Sequence, residues 1–372
     1  MKQATIERVE AAAYRVPTSG EEEDGTARWS ATTLVTVHAS GGGQRGFGYS
    51  YASPAAVTVI EDQLAHAVKG LDALAVNAAW DAMSHEVRNV GRPGIAATAI
   101  SAVDAALWDL KAKLLGVPLV RLLGVVRRGA PVYGSGGFTN LTLDALRSQL
   151  RGWVEQGIPA VKMKIGARPE EDLSRVRAAR EAIGQRCRLM VDANGAYTRK
   201  QALEQAEAFE ELGVCWFEEP VSSDDLPGLH LLRERAPAGM DIAAGEYGYD
   251  PHYFRRMLEE GAVDVLQADA TRCLGITGFL AASRLCEAFH LPLSAHTSPS
   301  LHRHVACAVK PLIHVEYFHD HARLEEALFE GFSPPREGML VPDLKRPGIG
   351  VELNVEAARP YLWKGTRHGH QP

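Results

Sequence analysis

The chain has 372 residues, of which 46% are hydrophobic and 23% charged, with a formal net charge of −6. Such a length can bury a large core, and the acidic balance excludes the basic face that nucleic-acid binding requires. No apolar run reaches the roughly 18 residues of a membrane span, and the opening MKQATIERVEAAAYRVPT lacks the apolar stretch of a secretory signal.

Residues 1–125 read as a small α+β domain. Segments 6–16 and 32–38 alternate like strands, and 46–51 can pair with them. Between the first two lies a Gly- and Glu-rich stretch, TSGEEEDGTARWS, without apolar period. It predicts a mobile lid loop over about 17–30. Helical periodicity follows at about 54–68, 77–88 and 95–115.

From residue 126 to 344 the texture is regular. Eight short apolar runs recur: PVYGSGG, AVKMKIG, RLMVDAN, VCWFEEP, DIAAGE, VLQADAT, LPLSAHT and LIHVEYF. Helix-like segments such as 170–183, 199–212, 251–260 and 275–289 separate them. Strands alternating with helices predict parallel β/α units, and eight of them predict a closed barrel. A dinucleotide site is discounted, because GSGGFTN does not satisfy GxGxxG. The tail, 345–372, is expected to pack back on the first domain. Five dispersed cysteines, with no CxxC pair, read as small buried hydrophobes in a reducing cytoplasm.

A β/α barrel carries its active site at the C-terminal ends of its strands. The ionisable residues ending the runs are Lys164, Asp192, Glu218, Glu246, Asp269, His296 and Glu316, separated by 28, 26, 28, 23, 27 and 20 residues. Seven groups in phase with the repeat predict one convergent site. Asp192, Glu218 and Glu246 come from successive strands, and three anions that close need a cation between them. Oxygen-only donors favour a hard ion such as magnesium, and the lack of His or Cys disfavours zinc. The competing reading has these acids capping helices or pairing with arginines. Lys162 and Lys164 point to one face, so each is expected to lower the other's pKa. That would make Lys164 a base and leave Lys162 to neutralise a substrate carboxylate; snorkelling at the rim is the alternative. Asp269 would fix the tautomer of a catalytic His296.

Together these residues resemble the enolase superfamily, specifically its mandelate racemase subgroup. The resemblance runs through SAVDAALWDLKAKLLGVPL, VKMKIG, VDANGAYT, WFEEPV, AGE, QADATRCLGITG, SAHTS and HVEYF, nearly the whole chain. It implies a capping α+β domain, completed by the tail, on a modified (β/α)8 TIM barrel of the (β/α)7β type. It also implies one magnesium ion on Asp192, Glu218 and Glu246, proton abstraction by Lys164, and the Asp269–His296 pair serving the other face. Glu316 would then be a protonated acid donating to the enediolate oxygen, and Glu219 an outer support of the metal. Acid-sugar dehydration is the favoured reaction, with racemisation or epimerisation at the α-carbon as the alternative. The cycloisomerase and o-succinylbenzoate synthase type is disfavoured, because no lysine lies between Lys200 and Lys310 to supply that type's second base. An inactive structural or binding protein is the reading from another class. The expected partner is a small carboxylate substrate, with no nucleic acid and no membrane, and the chain is expected to form a homo-oligomer. Asn194, Lys162, Tyr133, Ser135, Trp29 and Arg28 are candidate substrate contacts. A second metal site at His314, His319 and His321 is not favoured, since only Glu316 there shares the strand-end phase.

Overall fold

The computed structural model of the chain describes residues 4–365. A three-stranded antiparallel sheet opens the chain: β1 (Ile6–Glu23), β2 (Arg28–Gly41) and β3 (Gln44–Tyr51). Both of its faces are buried: Val35 and Val37 on one side, and Leu34, Phe47 and Tyr49 on the other. The covering element is the helix Ile95–Leu114, where 16 of 20 residues are buried. Alanines dominate its buried face, and β3 approaches it through Gly46 and Gly48. A Cβ on Gly48 would meet Ala102 O at 2.3 Å.

The lid expected at 17–30 is instead the extended tip of a β-hairpin. β1 and β2 stay paired out to Glu23 opposite Arg28, with an irregularity between Pro17 and Glu22. Local periodicity missed this because the order comes from polar contacts. Asp24 Oδ1 accepts from the amides of Thr26 and Ala27, both at 2.7 Å, which closes the turn. Gly25 lies so close to the barrel that a Cβ would meet Ala193 O at 2.1 Å, and Trp29 packs edge-on against Phe138.

The eight apolar runs form parallel strands: β4 (Ala130–Gly136), β5 (Ala160–Lys164), β6 (Arg188–Asp192), β7 (Val214–Glu218), β8 (Asp241–Ala244), β9 (Val265–Ala268), β10 (Leu293–Ala295) and β11 (Leu312–Phe318). β11 pairs with β4 and closes the barrel. A floor of Tyr133, Ala160, Met190, Trp216, Ala243 and Val265 fills the interior, so this is a packed core and not a channel. The closing strand is also followed by a helix, His319–Leu328. Its Glu325 accepts from Tyr49 Oη at 2.8 Å and Tyr51 Oη at 3.2 Å, tying barrel to cap.

The tail does return to the cap. Asp109 of the long helix accepts from the amides of Phe47 and Ile349, and Trp363 N donates to Ala13 O. Residues 366–372 of the expected tail lie outside the described residues. Among the described residues, no helix is long and apolar enough to cross a membrane.

Candidate active site

Register delivers the first three site residues at one height. Lys164 pairs with Asp192 across β5 and β6, and Asp192 with Glu218 across β6 and β7. Glu246 follows β8 after Gly245, whose φ of 134° and close contact with Gln267 O admit no side chain. Asp192, Glu218 and Glu246 are buried, and each offers a carboxylate oxygen within 4.8 Å of the others.

Three buried carboxylates at this spacing are costly without a cation. Burial pushes Glu218 up to about 8; Lys162 opposes the rise while Asp192 and Glu316 add to it. Burial and Glu246 also push Glu219 well above the usual carboxylate range, and its Oε1 has no partner among the described residues. An all-oxygen donor set of three crowded carboxylates fits a hard divalent ion such as magnesium. The competing reading, pairing with arginine, holds only in part. Arg272 Nη1 reaches Glu246 Oε1 at 3.3 Å, while the other two acids face lysines.

Lys162 does not line the mouth of the site. It is fully buried, one side-chain layer below Lys164, because two residues along a strand keep the face but change the height by roughly 6–7 Å. Its Nζ lies 2.5 Å from Glu218 Oε1, 3.0 Å from Glu316 Oε1 and 3.4 Å from Asp192 Oδ2. It therefore serves the protein's own carboxylates, and the expected contact with a substrate carboxylate is corrected. Lys164 Nζ stands 2.5 Å from Asp192 Oδ2. Burial lowers the pKa of Lys164 and Lys162 adds to this, but Asp192, Glu246 and Glu316 outweigh both. The mutual lowering expected of the two lysines is thus overridden, and Lys164 is held protonated.

His296 follows β10, and its two ring nitrogens face three carboxylates. Nδ1 is 2.8 Å from Asp269 Oδ2, while Nε2 is 3.1 Å from Glu246 Oε2 and 3.5 Å from Glu316 Oε2. Burial lowers its pKa, but Glu246, Glu316 and Asp269 raise it to about 9 against the opposition of Arg272. Asp269 is locked in turn by Thr271, whose amide and hydroxyl donate to Oδ1 at 2.7 and 2.8 Å. Glu316 does not match the protonated acid expected of it. Burial raises its pKa, yet Lys162, His296 and Lys164 hold it at about 2, so it stands as a carboxylate.

These groups open into a cavity of about 420 Å³ between barrel and cap. Lys164, Glu246, His296 and Glu316 line it from the barrel, with Asn194 beside them. Trp29 and Asp24 enter from the hairpin tip. Three other candidate contacts do not reach it. Tyr133 and Ser135 are fully buried below on β4, with Tyr133 Oη accepting from Gln267. Arg28 points outward and pairs with Glu21 and Glu23. Sequence reasoning overlooked Arg272, Tyr247 and Tyr51, which line the cavity, and weighed His321, which lines it too, only as a metal ligand. The one available signal was the spacing of Asp269 and Arg272, which places both on the same turn. His314, His319 and His321 do not gather: His314 bonds Ser294, His319 lies near Ser19, and His321 stacks on Tyr51 at 3.4 Å. Left-handed backbone at Asn194, Glu219, Thr297 and Ser298 (φ 39–51°) flanks the site, where such strain is usually stored.

Comparison with known proteins bears on the family and the fold. Residues 24–124 match the mandelate racemase / muconate lactonizing enzyme N-terminal domain, and residues 145–358 match the family described as enolase C-terminal domain-like. A 3,6-anhydro-alpha-L-galactonate cycloisomerase of Streptomyces coelicolor is 34% identical, covering 94% of this chain and 98% of the relative. A mandelate racemase/muconate lactonizing enzyme-like protein from Rubrobacter xylanophilus has a crystal structure that superimposes with a TM-score of 0.95 at 52% identity, over 96% of this chain and all of that one. The L-talarate dehydratase of Polaromonas sp. JS666, solved with magnesium and L-glucarate, superimposes with a TM-score of 0.88 at 30% identity, over 97% and 98% of the two chains.

Proposed function

The chain belongs to the mandelate racemase/muconate lactonizing enzyme family of the enolase superfamily, and from that premise we propose that it dehydrates a sugar acid to a 2-keto-3-deoxy acid. The observation that carries this reading is that Lys164 and His296 open into one cavity beside Glu246. They come from strands separated by β11 and β4, so they address a substrate from different sides.

A proton α to a carboxylate resists removal because its loss concentrates negative charge. Asp192, Glu218 and Glu246 would hold a magnesium ion, which would supply positive charge where that charge develops and would compete with Lys164 for Asp192, leaving Lys164 able to give up its proton. The neutral amine of Lys164 takes the α-proton. His296, protonated and oriented by Asp269, gives its Nε2 proton to the β-hydroxyl as the carbon–oxygen bond breaks, and water leaves. The resulting enol gains a proton at the β-carbon and becomes the keto acid. Lys162 keeps Glu218 and Glu316 in place below, Arg272 does the same for Glu246, and Glu219 supports the metal from behind. Trp29 and Asn194 contact the substrate.

The same pair of proton carriers supports epimerisation as a second reading, with His296 returning a proton to the α-carbon. Incubation with mono- and diacid sugars and magnesium in deuterated water separates the two. Keto acid formation is the expected result. Deuterium at the α-carbon without keto acid moves the assignment to epimerisation, and the absence of both overturns proton abstraction.

A further inference from the structure

A second cavity, of about 540 Å³, sits toward the opposite end of the barrel from the catalytic one. Its position follows from Met339, which lines it and pairs with Pro131 at the start of β4. The catalytic residues all lie at or near the C-terminal ends of the barrel strands. The charged residues lining this second cavity are Arg303, Arg336, Lys345, Arg346 and a single carboxylate, Asp343.

Arg303 is the unusual member. It is 1% exposed, and its one hydrogen bond among the described residues runs from Nη2 to Gly331 O at 3.2 Å. Its Nε is buried without a partner. A guanidinium offers five donors in a rigid fork, and burying one with most of them unused is costly. Burial lowers its pKa and Arg346 adds to that, while Glu325, Tyr49 and Asp343 act the other way. Arg346 approaches the same glycine from its other side: a Cβ on Gly331 would meet Arg346 Nη1 at 2.3 Å. Arg336, Lys345 and Arg346 are exposed at the rim, where Arg346 already faces Asp343 at 3.6 Å and donates to Gly350 O at 3.4 Å. Cations thus outnumber acids around a concave space whose wall holds an unsatisfied guanidinium.

We propose that this cavity binds a small oxyanion, a phosphate or a carboxylate, anchored by Arg303 and neutralised by Arg336, Lys345 and Arg346. Multidentate oxygen acceptors of this kind match the guanidinium fork, whereas chloride does not. The site is independent of the catalytic reading, since no residue is shared.

Calorimetric titration of the full chain with inorganic phosphate, and separately with malonate, at fixed ionic strength tests this. Saturable binding of at least one anion is expected. Phosphate alone would identify a phosphorylated ligand, and malonate alone an organic acid. The Arg336→Ala/Lys345→Ala double variant, altered only at exposed positions, should bind roughly tenfold more weakly. Lys164→Ala, altered in the other cavity, should bind as the unmodified chain does. Arg303→Met should lose binding, and if it fails to fold the double variant decides alone. No saturation with either anion, undiminished binding in the double variant, or loss in Lys164→Ala overturns the proposal.

Discussion

Lys164 and Asp192 are register partners on adjacent strands, and their side chains meet at 2.5 Å at the mouth of the barrel. One carboxylate is thereby shared between a prospective base and a prospective metal. Removing it, or either of the other two acids, should abolish cation binding. Magnesium at about 100 times its Kd should stabilise the unmodified chain by about 2.7 kcal/mol. Asp192→Asn, Glu218→Gln and Glu246→Gln should each lose most of that gain in thermal unfolding. An undiminished magnesium shift in all three would remove the metal assignment.

Lys164→Ala and His296→Asn each delete one proton carrier while leaving all three carboxylates of the triad in the chain. Each should lower kcat by roughly 10²- to 10⁴-fold, the usual worth of a positioned acid or base. Circular dichroism and the magnesium shift should stay as in the unmodified chain. Full turnover by either variant rules out the role given to that residue.

His296 offers a pH test of stability. Its folded pKa of about 9 lies above the ordinary 6.5, so folding favours the protonated imidazole. That contribution is complete below pH 6.5 and is lost as pH rises through about 9; it amounts to about 3 kcal/mol. Denaturant unfolding measured on both sides of this window should show the decline, and His296→Asn should flatten it. An equal slope in the variant would mean that another group is responsible.

Trp29 and Arg28 are neighbours in sequence with opposite environments. Trp29 lines the catalytic cavity and its indole donates to Glu22 at 2.8 Å, whereas Arg28 faces solvent. Trp29→Ala should raise KM or shift the preferred acid. Arg28→Ala should leave KM within about twofold, since exposed ion pairs contribute little. Reversed effects would show that the hairpin tip sits differently over the barrel.

Gly48→Ala tests the seam between β3 and the long helix. The added methyl would lie 2.3 Å from Ala102 O and from Ala106 N, both backbone atoms that cannot yield cheaply. A loss of about 1–3 kcal/mol is expected from denaturant unfolding. A neutral result would mean that the cap can slide on its helix.

Much of the site was legible before any coordinates. Lys164, Asp192, Glu218, Glu246, Asp269, His296 and Glu316 recur in phase with the barrel repeat, and parallel strands converge at one end. Phase in sequence therefore became proximity in space. Other residues were misjudged for one shared reason. Period two along a strand reveals which face a side chain takes but not its depth, so Lys162, Tyr133 and Ser135 were set at a surface they lie beneath.

The amino-acid sequence alone determined the eight-stranded barrel, the convergent acids and the family, because apolar period and strand-end position are local properties of the chain. Tertiary structure decided everything that depends on the sum of neighbours from distant segments. The hairpin tip at 17–30 is ordered by contacts with Ala193 and Phe138, and Arg272 reaches Glu246 and Asp269 only through the turn after β9. The charge states of Lys164, His296 and Glu316 follow from buried partners on other strands, where low dielectric magnifies each contact.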